Sequence, residues 1–165
     1  MKFGKEIARL CSEHARYKSF YIGYKELKRA LKNMRVQPNA PSDASSQSSS
    51  PTRSKAIVRL TQQATNETGE GHFVELLRHQ LDNINSFVEL QWEVICGEMK
   101  TRLRTGAVAG VEPIERLAGE IVLLDGFVRT NFAGFRKIIK KCDKHHGTAL
   151  SAWFMPRVDK APFRQ

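Results

Sequence analysis

Two long stretches of helical hydrophobic periodicity most constrain what this chain can fold into. The first runs from about residue 72 to 104, and the second runs from about 113 to 144. In both, apolar residues recur every three or four positions, which is typical of an amphipathic helix. At 1.5 Å per residue, the first stretch alone predicts a helix of roughly 50 Å. Residues 105–110 contain two glycines and predict a turn, so we expect the long helices to run antiparallel.

Shorter helical patterns lie on either side of these stretches. Residues 5–16 and 21–35 are separated by Tyr17–Phe20, which breaks the pattern and predicts a helical hairpin. Residues 148–165 predict one or two short helices, the first ending before Pro156. Because no alternation typical of strands is sustained, the predicted fold class is all-α. We expect a short N-terminal helical hairpin packed on two long antiparallel helices, with short C-terminal helices and a three-helix-bundle-like core.

The length of the chain suits a single domain, residues 1–165. Within it, residues 37–71 are rich in serine, proline and asparagine and predict a variable, flexible loop without a binding site. Gly126 and Gly134 lie inside the last long helical stretch. A glycine inside a helix costs up to about 1 kcal/mol relative to alanine, so we expect close helix packing at both positions.

The net charge of +10 is concentrated at the two ends of the chain. Residues 1–37 hold ten Lys and Arg against three acids, and residues 129–165 hold nine against two. The middle, residues 38–128, holds eight against twelve. If the ends meet in the fold, they form a concentrated positive field that attracts a polyanion, such as nucleic acid, an anionic membrane or a small phosphate-rich ligand.

Several other functions have little support in the sequence. Cys11, Cys96 and Cys142 show no paired spacing, so we expect reduced thiols in a cytosolic setting. No signal peptide is recognised, and no stretch approaches the ~18 apolar residues of a membrane span. His145 and His146 lack the matching ligands of a zinc site, so we expect no metal and no cofactor. No phosphate loop, nucleophile elbow or HExxH pattern is found, so the domain itself is not predicted to be an enzyme.

A lysine face near the end of the second long stretch is the strongest functional signal. Lys137, Lys140, Lys141 and Lys144 stand at the i, i+3, i+4 and i+7 positions of one helix. Such a run is also compatible with an ordinary solvated surface. On the short second helix, Tyr24 and Lys28 lie four residues apart, where a tyrosine hydroxyl beside a lysine can donate to a phosphate oxygen. The spacing alone leaves open that Tyr24 is only the edge of the core.

Three ordered blocks of the chain resemble the conserved blocks of SPX domains. They are Met1–Lys5 (MKFGK), Tyr21–Lys28 (YIGYKELK) and Asn131–Lys144 (NFAGFRKIIKKCDK). The segment Leu81–Phe87 (LDNINSF) resembles the middle segment of the same family. The resemblance covers almost the whole chain outside the serine-rich loop. It departs from the family pattern at Tyr17–Phe20, which puts the shape of that loop in doubt, and at Gly23.

The resemblance implies a ligand site built from residues of both basic ends. The family's phosphate-binding cluster would consist of Tyr24, Lys28 and Lys137. Its adjoining lysine surface cluster would consist of Lys140, Lys141 and Lys144. Lys2, near the start of the chain, would add a further contact.

The resemblance also implies a ligand and a role. The ligand would be inositol hexakisphosphate or an inositol pyrophosphate, and the domain would report phosphate status to an attached effector domain or a partner protein. The tail from Trp153 to Phe163 resembles the exit from the SPX domain in polyphosphate polymerase subunits of vacuolar transporter chaperone complexes. That likeness implies a role in polyphosphate synthesis, with the domain facing the cytosol and the full protein at a vacuolar or acidocalcisome-type membrane.

Three other functions remain open at this point. The basic composition also suits a nucleic-acid-binding domain, but aromatic residues are not interleaved with the lysine face, so we expect no nucleic-acid partner. The long helical hairpin suits a scaffold that recruits a partner without any ligand. A phosphoinositide-binding membrane surface would use the same lysines, although no apolar face for insertion accompanies them, so we expect no direct membrane insertion.

Overall fold

A computed structural model of the chain describes residues 2–34, 69–105 and 111–164, and every regular element in these ranges is helical. The N-terminal part contains α1 (Phe3–Glu13), a 3-10 helix (Ala15–Phe20) and α2 (Tyr24–Asn33). The two long helices are α3 (Gly69–Thr105) and α4 (Val111–His146). The C-terminal part contains α5 (Leu150–Asp159) and a short 3-10 helix (Pro162–Arg164). The predicted all-α architecture is therefore confirmed.

The long pair α3 and α4 is covered on two opposite sides. On α4, Gly134 faces Ile22 and Phe3 from the N-terminal hairpin. Phe132, two residues earlier, lies under the Arg164 guanidinium, whose carbon is 4.2 Å from the ring centre. Residues two apart on a helix point about 200° apart. The N-terminal hairpin and the C-terminal elements therefore pack on opposite sides of the same long helix.

An aromatic cluster joins the N-terminal hairpin to both long helices. Phe87 of α3 stacks on Phe20 with ring centres 4.0 Å apart. Phe127 of α4 packs against Tyr17 and Tyr21 at 5.3 Å and 5.0 Å. Aromatic pairs at such distances contribute roughly 0.5–1.5 kcal/mol each beyond the area they bury. The segment Tyr17–Phe20, predicted to break the helical pattern, is thus a 3-10 turn that anchors the hairpin.

The first long helix begins earlier than the sequence predicts. The expected start was about His72, but α3 begins at Gly69. A Cβ atom at Gly69 would lie 3.2 Å from the Met34 Cα atom, so a glycine suits the close approach to the end of α2. Residues 37–68 of the predicted loop lie outside the described residues, as do residues 106–110 of the predicted turn.

The C-terminal helix also differs from the prediction, because α5 continues through Pro156. A proline inside a helix removes one hydrogen bond and costs about 3 kcal/mol. Phe154 and Val158, on either side of it, are fully buried and hold both halves of α5 against the core. Pro156 itself is exposed.

The described residues contain neither a membrane-spanning helix nor a metal-binding group of side chains. None of the helices there is both long enough and apolar enough to cross a bilayer. No group of three or more His, Cys, Asp or Glu side chains in the same ranges could hold a metal ion.

Candidate ligand-binding site

Phe3 is the point at which three helices meet. Tyr24, the first residue of α2, packs edge-on against the Phe3 ring with the ring centres 4.9 Å apart. The Lys137 ammonium, from α4, lies 4.6 Å from the centre of the same ring. Tyr24 and Lys137, which the family resemblance assigned to one cluster, therefore both lie against Phe3. Phe3 was not singled out in the sequence.

The loop before α2 is fixed to α4 by a buried amide. The Ile22 backbone N–H donates to the Asn131 Oδ1 atom at 2.7 Å, and the Asn131 amide donates to the Phe127 carbonyl at 3.0 Å. A Cβ atom at Gly134 would lie 2.5 Å from the Ile22 Cγ2 atom. The expected close packing at Gly134 is thus confirmed. At Gly126 it is wrong, because a Cβ atom there would have no neighbour within 4 Å.

The same loop is also fixed to α3. The Gly23 N–H donates to the Gln80 Oε1 atom at 2.6 Å, and the Gln80 amide nitrogen donates to the Glu26 carboxylate at 3.0 Å. The start of α2, and with it Tyr24, is therefore held by polar side chains from both long helices. This matters for binding because a ligand site positioned in advance loses less entropy when the ligand binds.

Helix α2 runs alongside the last turns of α4 in the same direction. Tyr24 and Lys137 meet at Phe3 near one end. Near the other end, the His146 Nε2 atom lies 3.1 Å from the Leu31 carbonyl oxygen. Lys28 is exposed and lies one turn after Tyr24, between these two contacts. It is therefore level with the part of α4 that carries the other lysines.

The four lysines of α4 differ in exposure and direction. Lys137, Lys140 and Lys144 are exposed, whereas Lys141 is half-buried. Lys141 follows Gly134 by seven residues, or about two turns, so it lies on the strip of α4 that faces the N-terminal hairpin. Lys140 follows Gly134 by six residues and therefore points about 120° away from that strip. The lysine nearest to Lys28 in direction is thus Lys141, and Lys140 is the outermost of the four.

None of these lysines is paired with a carboxylate among the described residues. All seven ion pairs found there use arginines, such as Arg9 with Glu6 and Glu13. Paired charges satisfy one another, whereas unpaired ammonium groups that crowd together repel. The lysine face is thus left with an excess of positive charge.

Asp143 stands among the lysines but serves a different purpose. Its carboxylate accepts hydrogen bonds from the Thr148 hydroxyl and the Leu150 and Ser151 amides at 2.7–3.0 Å. Burial on its own raises the pKa of Asp143, but the hydrogen bonds from Ser151, Thr148 and Leu150 together lower it. The carboxylate therefore caps the start of α5.

The start of α1 adds polar groups to the same place. Lys2 is the N-cap residue, is exposed, and makes no side-chain hydrogen bond to the helix. The first backbone N–H groups of a helix have no acceptor within it, and they carry partial positive charge. Tyr24 is half-buried, and burial raises the pKa of its hydroxyl, so this group stays a neutral donor at physiological pH.

Comparisons with known proteins agree with this architecture. SPX domain-containing protein 2 of Arabidopsis thaliana is 31% identical over 175 residues, covering 99% of this chain and 59% of that protein. SPX domain-containing protein 1 of Oryza sativa subsp. indica is 29% identical over the same shares. The chain thus spans about 59% of the length of these two relatives. Vacuolar transporter chaperone complex subunit 2 of Toxoplasma gondii is 52% identical over 50 residues, 30% of this chain and 4% of that protein.

A solved structure has the same fold. It is the SPX domain of Chaetomium thermophilum glycerophosphodiester phosphodiesterase 1 in complex with inositol hexakisphosphate, with a TM-score of 0.63 at 23% identity. The match covers 100% of this chain and 89% of that one. No model of a known protein family matches the chain. Similarity along nearly the full chain to proteins named for this domain, together with the shared helical fold, establishes that the chain is an SPX domain.

Proposed function

We propose that this domain senses cellular phosphate status by binding inositol polyphosphates or inositol pyrophosphates. The observation that carries the proposal is the meeting of three helices at Phe3, with Tyr24 on one side of the ring and Lys137 on another. The phosphate-binding cluster would consist of Tyr24, Lys28 and Lys137. The lysine surface cluster would consist of Lys140, Lys141 and Lys144, and Lys2 would add a contact.

The charge of the site supports a ligand with many negative charges. The lysines of α4 repel one another, and the nearest carboxylate on the same helix, Asp143, is occupied by the start of α5. A bound polyanion relieves this repulsion and restores the missing counter-charge. A single phosphate can engage only part of this lysine set, so it should bind far more weakly than an inositol polyphosphate.

The kind of side chain supports a ligand recognised by charge density. Lysine is a flexible point charge with three donors, so it can move between neighbouring phosphate oxygens. Arginine favours bidentate contacts of fixed geometry. Among the described residues, arginines form the ion pairs instead. We therefore expect broad selectivity among inositol polyphosphates of similar charge. The direction of Lys141 further suggests that it joins Lys28 in the inner part of the site.

The role of the domain would be regulatory and not catalytic. The solved structure with the same fold contains inositol hexakisphosphate and is a domain of a longer phosphodiesterase. By analogy, ligand binding here would change the contacts of an attached effector domain or a partner protein. The 50-residue similarity to a vacuolar transporter chaperone subunit supports a parent protein that takes part in polyphosphate synthesis at a vacuolar or acidocalcisome-type membrane.

Isothermal titration calorimetry tests the proposal directly. The purified 165-residue chain is titrated with inositol hexakisphosphate, an inositol pyrophosphate, inorganic phosphate, and short RNA and DNA duplexes at one salt concentration. We expect both inositol ligands to bind at least a hundred-fold more tightly than inorganic phosphate. Inositol hexakisphosphate should also displace any bound nucleic acid.

Other outcomes would favour the alternative functions. Nucleic acid that binds more tightly than inositol hexakisphosphate, and is not displaced by it, would support a nucleic-acid-binding domain. Binding of neither class would support a helical scaffold. Flotation with liposomes containing phosphoinositides, repeated with excess soluble inositol hexakisphosphate, separates a membrane-surface function from recognition of a soluble ligand.

A further inference from the structure

The long helices continue beyond the N-terminal hairpin as a two-helix arm. Arg16 hydrogen-bonds to Gln91 of α3 and to Glu120 of α4, the latter at 3.2 Å, and this bridge marks the end of the hairpin on the long pair. Past it, Glu98 of α3 binds Arg116 of α4 and keeps the two helices together. We define the arm as residues 92–105 of α3 and 111–121 of α4.

One side of the arm carries large apolar side chains that are exposed. Trp92 is 52% exposed, Leu103 is 74% exposed and Ile114 is 53% exposed. Met99 and Ile121 are exposed as well. We call these five residues the arm face. Monomeric soluble proteins leave single apolar residues exposed, but a contiguous group of this size is typical of an interaction surface.

The arm face lies on the same side of the two long helices as the C-terminal elements. In the body of the domain the C-terminal elements cover this side. On α3, the Phe163 N–H donates to Asn85 at 3.3 Å, and Trp92 and Met99 follow Asn85 by seven and fourteen residues. On α4, Ile114 and Ile121 precede Phe132 by eighteen and eleven residues, or about five and three turns, and Phe132 lies under the Arg164 guanidinium. Residues seven apart lie nearly above one another on a helix. Among the described residues, the arm therefore lacks the covering layer that the body of the domain has.

The exposed stripe of α3 has the spacing of a coiled-coil seam. Trp92, Cys96, Met99 and Leu103 are separated by four, three and four residues. This is the pattern by which one helix packs its side chains between those of another. Each of two stripe residues is followed by an exposed charge, Trp92 by Glu93 and Met99 by Lys100.

The charges beside the stripe, Glu93 and Lys100, are opposite in sign, so the stripe of one copy can pair with that of another. Glu93 and Lys100 are seven residues apart, about 10 Å along the axis, so they do not reach each other within one helix. Neither is paired with any other described residue. If two copies of α3 pack antiparallel, so that Trp92 faces Leu103 of the other copy, Glu93 lies beside Lys100 of that copy. In a parallel arrangement, the two-fold axis would place Glu93 of one copy and Lys100 of the other on opposite sides of the seam, where they could not pair.

We propose that the arm face binds a second copy of this chain, so that two arms form an antiparallel four-helix bundle. The two-fold symmetry of such a dimer uses the same surface on both copies and pairs Glu93 with Lys100 twice. The stripe of α3 and the two isoleucines of α4 supply its apolar interior. The inference goes beyond the proposed ligand binding and does not depend on it.

Sedimentation velocity over a series of protein concentrations, without any inositol phosphate, tests the dimer. We expect the 165-residue chain to associate reversibly into dimers. Leu103→Glu should raise the dimer dissociation constant at least about ten-fold, because it places a charge in the apolar interior. Leu90→Glu is the matched control, because Leu90 is an exposed leucine on α3 whose position points about 140° away from Leu103.

A charge exchange tests the antiparallel arrangement. Glu93→Lys and Lys100→Glu should each weaken the dimer, and the double variant should restore it. Restoration requires contact between copies, because the two residues are too far apart within one chain. A monomer at all concentrations would overturn the proposal, even if the arm then binds another protein. Equal effects of Leu90→Glu and Leu103→Glu, or a double variant that stays weak, would overturn it too.

Discussion

The Lys137 ammonium lies 4.6 Å from the centre of the Phe3 ring, and this contact joins the third residue of the opening block to the basic end of α4. A cation held over an aromatic face keeps its full charge and remains able to bind an anion from its open side. The contact therefore places a lysine beside the start of α1 without neutralising it.

Removing a lysine from either side of the site should weaken ligand binding and leave the fold intact. We expect Lys28→Ala and Lys137→Ala each to reduce the affinity for inositol hexakisphosphate roughly ten-fold or more, since hydrogen bonds to charged groups contribute about 1.5–3 kcal/mol. Calorimetry measures the affinity and thermal unfolding measures the fold.

Lys18→Ala is the matched control for this pair. Lys18 is exposed, but its carbonyl lies 3.8 Å from the Cys11 thiol, more than two turns from the start of α1. The site assignment is wrong if Lys18→Ala weakens binding as much as Lys28→Ala does. It is also wrong if both site variants bind as tightly as the unmodified chain.

The ligand should stabilise the folded domain, and salt should reduce the effect. A ligand that binds only the folded state adds about 2.7 kcal/mol when its free concentration is a hundred times the Kd. For a domain of this size, this corresponds to a rise in Tm of about 5–11 °C. Raising ionic strength from 0.1 to 1 M shortens the Debye length from about 10 Å to 3 Å, so the affinity should fall. Affinity that is independent of salt would contradict recognition by charge.

A side chain at Gly134 should destabilise the domain, whereas one at Gly126 should not. The new Cβ atom in Gly134→Ala would lie 2.5 Å from the Ile22 Cγ2 atom, so the loop before α2 must shift. Overpacking of this kind typically costs about 1–3 kcal/mol. Gly126→Ala meets open space and should stabilise α4 by up to about 1 kcal/mol. Urea unfolding of both variants measures the difference, and the packing argument fails if the two changes have the same sign.

Asp143→Ala should destabilise the domain by about 1–2 kcal/mol, because it removes the cap of α5. Hydrogen bonds to the carboxylate lower the pKa of Asp143 in the folded state. A lowered pKa means that the stabilisation is complete above the unfolded pKa and is lost as pH falls through the folded one. The difference between Asp143→Ala and the unmodified chain should therefore shrink at acid pH, below about 3.8.

The control for this change is Asp125→Ala on the same helix. Asp125 pairs with Arg129 at 2.7 Å, but both side chains are largely exposed, so the pair contributes little. Unfolding free energies across a pH series separate the two aspartates. An equal, pH-independent effect of both substitutions would show that Asp143 does not act as a cap.

Local periodicity accounts for much of what could be predicted. The long helices were expected because apolar residues three and four apart must lie on one face, and that rule needs no knowledge of the rest of the chain. The same rule placed Lys137, Lys140, Lys141 and Lys144 together near the end of α4. The start of α3 at Gly69 and the passage of α5 through Pro156 were not predicted, since both depend on packing against distant residues.

The site itself was only partly visible in the sequence. Tyr24 and Lys137 were grouped through a family resemblance, and no local pattern brings them together. Phe3, which both of them contact, was missed, although it belongs to the quoted opening block. The role of Asp143 was also missed. The available signal was the position of Asp143 near the end of one predicted helix, five residues before Thr148 and shortly before the next helix. An aspartate at such a position can cap the helix that follows.

The amino-acid sequence by itself determined the helices, the unequal distribution of charge and the alignment of the α4 lysines, because each follows from spacing along one segment. Only the tertiary structure decided that the two basic ends meet. That meeting depends on Ile22 packing on Gly134 and donating its N–H to Asn131, between residues far apart in the chain. Such contacts form because they bury apolar surface and satisfy buried polar groups at the same time, and the spacing of residues within one segment contains no record of them.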